Sequence, residues 1–121
     1  LVREAWNNLD RAGVLQNVTL VVSDSVQASK LFADFSVHAV FLDGDHSEEI
    51  ARHDIETFGA LVRHNGILAA HDYFGWPDPD LEYGNLPPTT GVTAVVDGLD
   101  RRKWEVLTLA HSFGLTICRR I

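Results

Sequence analysis

The 121-residue sequence predicts an α/β fold built on one open, mostly parallel sheet. Three observations carry that expectation. Apolar, β-branched runs alternate with stretches of helical periodicity. Two of those runs end abruptly in charge, at "FLDGDH" (41–46) and at "AAHDYF" (69–74). The chain then closes on two strand-like runs separated by "HSFG", which read as an antiparallel hairpin.

Taken in order, residues 1–12 space Val2, Ala5, Trp6, Leu9 and Ala12 as one face of a helix, with Gly13 as its C-terminal cap. "NVTLVV" (17–22) reads as a buried strand. Asp24 and Ser25 offer an N-cap, and Val26, Leu31, Phe32 and Phe35 an apolar stripe for a short helix. "VHAVFL" (37–42) is apolar without alternation, as a strand covered on both faces would be. Ser47 caps the next helix with its hydroxyl, and Glu48 and Glu49 favour the positive end of its dipole. Ile50, Asp54, Phe58, Leu61 and Val62 continue it at spacings of three and four until Asn65-Gly66. "ILAA" (67–70) is a further strand, and residues 75–90, which hold all four prolines, form a loop over the strand ends. Thr89 or Thr90 caps a helix carrying Val92, Val95, Val96 and Leu99. Helices are expected on both faces of the sheet, and the whole of 1–121 reads as a single domain.

Composition narrows the function. The formal charge of −7 disfavours a nucleic-acid binder, which needs a basic face, and docking on anionic membranes. No apolar run is long enough to span a bilayer, and one cysteine, Cys118, makes no internal disulfide, so the expected location is cytoplasmic. The chain contains no methionine and starts at Leu1, which reads as a processed chain or a piece of something longer.

Neighbouring parallel strands present their carboxyl ends on one edge, where open α/β sheets bind ligands. If 37–42 and 67–70 pair, Asp43 and the His71–Asp72 pair lie about 5 Å apart. Convergent carboxylates need a proton, a basic group or a cation between them. Two acids and an imidazole suit a divalent ion such as magnesium or manganese; zinc is less suited, since the histidines lack ligand spacing. His46, three residues past Asp43, can reach over that site as a general base. An Asp-Gly turn alone is commonly only structural; two charged strand ends on one edge point to a site. His53, His64 and His111 read as surface residues, His38 as a partnered core or edge histidine, Trp6 and Trp104 as core aromatics, and Trp76 as packing on a ligand.

With these residues in hand, the chain resembles the class I S-adenosylmethionine-dependent methyltransferases, and within them the metal-dependent sugar and catechol-type O-methyltransferases. "NVTLVVSDS", "AVFLDGDHSEEIARHDI", "LVRHNGILAAHDYF" and "GVTAVVDGL" carry the resemblance, in that order. It implies a Rossmann-like sheet, metal ligands at Asp43, His71 and Asp72, and His46 as the base acting on a hydroxyl of a small-molecule acceptor. It further implies S-adenosylmethionine contacts at Asp24, Ser25 and Asp43, with magnesium or another divalent cation as a second cofactor. The family usually carries two carboxylates, or a carboxylate and an amide, where this chain has His71–Asp72. A larger departure is the cofactor loop: no two of the nine glycines lie within two positions of each other, so no G-x-G exists. By comparison with the family order the first two strands are missing. The expectation is a partial methyltransferase domain, inactive alone, with open edges that invite a homo-oligomer or an exchanged-element dimer. The alternatives are a non-catalytic binding or assembly module with an acidic crevice and, third, a metal-dependent hydrolase.

Overall fold

The computed structural model describes residues 2–74, 90–110 and 113–121. The expected loop 75–90 therefore lies, apart from Thr90, outside the described residues, as do Trp76 and His111. Four strands, β1 (Val37–Leu42), β2 (Val62–His71), β3 (Trp104–Leu109) and β4 (Leu115–Arg120), form one sheet in the order β1-β2-β4-β3. β1 and β2 run parallel, while β4 is antiparallel to both β2 and β3. Three strands thus share a direction and the last is reversed between them: the expected closing hairpin is present, while the expected mostly parallel sheet is met only loosely, with one parallel and two antiparallel pairings among the described strands.

Helices α1 (Val2–Arg11), α2 (Ser25–Ser29), α3 (Glu48–Leu61) and α4 (Gly91–Asp97) complete the described elements. The buried residues of α3 are Ala51, Ile55, Gly59 and Leu61: Leu61, and Val62 just past the helix, are buried as the sequence register expects, while earlier in the helix the buried line runs one position on and Ile50 is exposed. Val92, Val95 and Val96 of α4 join Ala51 and Ile55 over Val62, Leu68, Ala70, Trp104 and Cys118. In strands side chains alternate. The other face of the sheet carries the cross-strand row Phe41, Ala69, Ile117 and Leu107, and in it Phe41 is 61% and Leu107 59% exposed. The core therefore sits on one side of the sheet, and the expectation of helices on both faces does not hold among the described residues.

The first third of the chain departs most from expectation. Residues 17–22 make no strand, and Val18, Val21 and Val22 are exposed: no described strand lies beside them to receive their N–H and C=O groups, and β1 keeps its outer edge open. Helix α2 lasts five residues, and Val26, Leu31, Phe32 and Phe35 face out. Trp6, expected in the core, is 48% exposed because α1 packs chiefly on the one-turn 3-10 helix Leu15–Asn17 that follows it. Trp104 does lie in the core.

Helix α3 ends at Leu61, before Asn65-Gly66, and β2 begins at once. Asn65 instead takes a left-handed φ of 61° inside a register shift: Val37 pairs with Val62, but Ala39 with Ile67. His64 and His38 are exposed, the latter on edge strand β1, whereas His53 is half-buried with Nε2 shielded and unpartnered among the described residues. Thr90 caps α4 in a full capping box, with Thr93 as the partner three residues on. Among the described residues no helix is long and apolar enough to cross a membrane.

Candidate functional site

β1 and β2 stop together, Leu42 beside Ala70, and the chain turns outward on both strands at the next residues. That brings Asp43, His46 and Asp72 into one cluster, each offering a ligand atom within 4.8 Å of the others. Asp72 is its hub. Its Oδ2 lies 2.8 Å from His46 Nε2, and its Oδ1 lies 3.1 Å from His71 Nδ1. His71 Nδ1 is also 3.7 Å from Asp43 Oδ1, but none of these approaches has hydrogen-bonding geometry, so this buried nitrogen is aimed at two carboxylates without a proper bond to either. Asp72 is the more buried member, its side chain 14% exposed against 41% for His46. A φ of 58° at Asp72 turns its side chain back into the crevice; a short polar side chain tolerates this conformation better than most.

Local bonds fix the turn that carries His46. Asp45 Oδ1 accepts the Ser47 N–H at 2.7 Å, so Asp45 organises the entry to α3, and Ser47 makes no side-chain cap of its own. Hydrogen bonds from Ser47, side chain first and backbone second, hold the Asp45 carboxyl below its usual value. A narrow cavity of ≈ 20 Å³ opens behind the turn, lined by Gly44, His46, Asp54, His71 and Val92 among others. Asp54 Oδ1 is buried and has no hydrogen-bond partner among the described residues. Its signal in the sequence was an acid inside the apolar spacing of a helix. Tyr73, next to Asp72, donates its hydroxyl to Asp97 at 2.8 Å; burial first, and then Asp97, raise its pKa.

The donor set suits a divalent cation. Ligands at about 2.1 Å from a metal in octahedral geometry stand about 3 Å apart. The Asp72 Oδ1–His71 Nδ1 separation is of that size, and Asp43 Oδ1 lies 3.7 Å from the same nitrogen. Asp24 and Ser25 are not brought to this cluster by any contact among the described residues. The Asp24 carboxylate accepts the Gln27 N–H at 2.9 Å as the cap of α2.

Fold and crevice together define an open α/β domain with an acidic, imidazole-bearing edge at the ends of its parallel strands. A family model described as a methyltransferase domain matches residues 2–73, more than half of the chain, and the chain belongs to that family. Among solved structures, a protein from Corynebacterium glutamicum superposes with a TM-score of 0.71 at 18% identity, covering 98% of this chain and 55% of its own. A methyltransferase from Geobacter sulfurreducens does so with a TM-score of 0.68 at 18% identity, covering 99% of this chain and 52% of its own. The chain thus spans about half the length of these two structures, and their likeness is one of fold.

Proposed function

We propose that this chain supplies the metal-and-acceptor part of an S-adenosylmethionine-dependent O-methyltransferase site that acts on a small hydroxylated molecule. The observation that carries the reading is the convergence of Asp43, His46 and Asp72 at two adjacent strand ends in a chain of the methyltransferase-domain family. His46 is the base. The Asp72 carboxylate, 2.8 Å from its Nε2, orients the ring and faces the positive charge the imidazole gains when it takes the proton of an acceptor hydroxyl. Asp43 and Asp72, with His71 Nδ1 beside them, would hold a magnesium or manganese ion, which when bound lowers the pKa of a coordinated hydroxyl. These residues place the acceptor for in-line attack, and alignment of this kind lowers the barrier by sparing the entropy of bringing the reactants together.

The cofactor side is less provided for. Asp24, Ser25 and Asp43 are the residues proposed to contact S-adenosylmethionine, and no G-x-G occurs in the 121 residues to cradle it. A second reading, an assembly module that uses the crevice only to bind, is favoured by the bare sheet face at Phe41 and Leu107. Calorimetric titration with S-adenosylhomocysteine, with and without magnesium, separates the two. Micromolar binding supports the enzyme reading, and no binding by the folded chain supports the module.

A further inference from the structure

Helix α4 begins nineteen residues after Asp72, yet its N-cap Thr90 and its first residue Gly91 reach both charged strand ends. The Gly91 N–H donates to the His46 carbonyl at 3.0 Å. The Thr90 hydroxyl donates to the Asp72 carbonyl at 2.8 Å and also approaches the Tyr73 carbonyl at 3.3 Å. The Thr90 bonds fall on and beside a left-handed residue, since Asp72 holds a φ of 58°.

The supporting hydroxyls are fully used. Thr90 accepts the Thr93 N–H on its oxygen while its own hydrogen points to Asp72. Thr93 accepts the Thr90 N–H while its hydrogen goes to the Tyr73 carbonyl. Each side chain thus spends its acceptor on the capping box and its donor on the 72–73 backbone. A cap alone needs only the acceptor, so the donors have a separate task.

We infer that Thr90 is a positioning residue for the crevice: its hydroxyl holds Asp72 in the left-handed conformation that aims Oδ2 at His46. The inference rests on the proposed role of Asp72 and His46, but its geometry is readable without metal or cofactor.

The test is the side-chain ¹⁵N spectrum of His46 in the full 121-residue chain, at one pH and with no ligand added. Thr90→Val removes both cap and donor. Thr90→Asp keeps an acceptor for the cap but cannot donate when ionised, so it stays foldable if Thr90→Val does not. Thr90→Ser keeps both functions. Val96→Ala, in the core of α4 and away from Thr90, controls for general destabilisation. The expected result is that Thr90→Val and Thr90→Asp move the His46 Nε2 resonance toward that of a free imidazole, while Thr90→Ser and Val96→Ala leave it in place. The inference is overturned if Thr90→Asp keeps the wild-type resonance, or if Val96→Ala moves it as far. With manganese added, the same two Thr90 variants are expected to bind about tenfold more weakly, in the range for loss of a group that orients a ligand. A wild type that binds no manganese would count against the proposed function and leave the spectral result standing.

Discussion

Gly91→Ala is the substitution for which the structure gives the sharpest expectation. A Cβ built on Gly91 would stand 2.5 Å from the His46 carbonyl oxygen and closer still to the backbone N and Cα of Glu48. All three obstacles are main chain, in the turn that carries His46, so no side chain can swing aside. Overpacking of this kind costs about 1–3 kcal/mol, and a backbone obstacle places Gly91→Ala at the upper end. For a chain of this length the unfolding entropy is about 0.25 kcal/mol/K, so a loss of about 3 kcal/mol lowers Tm by about 10 °C. Gly98→Ala is the internal control: its nearest neighbours are the carbonyl oxygens of Ala94 at 3.4 Å and Val95 at 3.5 Å, and its φ of −81° suits any residue. That change is expected to be neutral or to stabilise by up to about 1 kcal/mol through the unfolded chain. Urea melts of both variants, followed by circular dichroism, decide the matter. A Gly91→Ala protein within about 0.5 kcal/mol of wild type would refute the close packing of α4 on the His46 turn.

Further expectations concern the core and the charges. Leu68, 1% exposed at the centre of the sheet, should cost about 2–5 kcal/mol when cut to alanine, measured by the same melts. Arg119→Ala, which breaks an exposed 2.7 Å pair with Glu105, should cost less than about 1 kcal/mol and less again in high salt. Burial raises the Cys118 thiol from 9.0 to about 11. The folded state therefore keeps its proton where the unfolded state loses it: the stabilisation is whole below pH 9 and lost as pH rises to about 11. Cys118→Val should flatten that part of the alkaline stability profile, and an unchanged slope would show that the thiol does not contribute to it.

What the sequence disclosed, it disclosed through local rules. The runs 37–42, 104–109 and 115–120 became strands because their apolar positions have a covered face to fill and paired neighbours on the sheet. The charged strand ends could be read because a parallel pair must bring Asp43 and Asp72 to one edge, and it does. The failures share a cause. Residues 17–22, Val26, Leu31, Phe32 and Trp6 have the right residue types for burial, but burial needs a surface to receive them and they stay exposed or partly exposed, while the ring of Phe35, a residue still 57% exposed, meets the Arg120 guanidinium at 4.4 Å. Periodicity also cannot fix register to one residue, which is why the buried line of α3 runs through Ala51 and Ile55 and leaves Ile50 outside. Nor could it find the bonds of Thr90 and Gly91 to the strand ends, which depend on where α4 lands in space.

The central claim is that the two strand ends form one cation site, and manganese titration of the 121-residue chain, followed by electron paramagnetic resonance, tests it most directly. The account predicts a single saturable site in the wild type, weakened at least tenfold in Asp72→Asn and in Asp43→Asn but not in Asp24→Asn. Equal binding by wild type and Asp72→Asn would contradict it, leaving the crevice as a pair of imidazole–carboxylate contacts with no metal to serve.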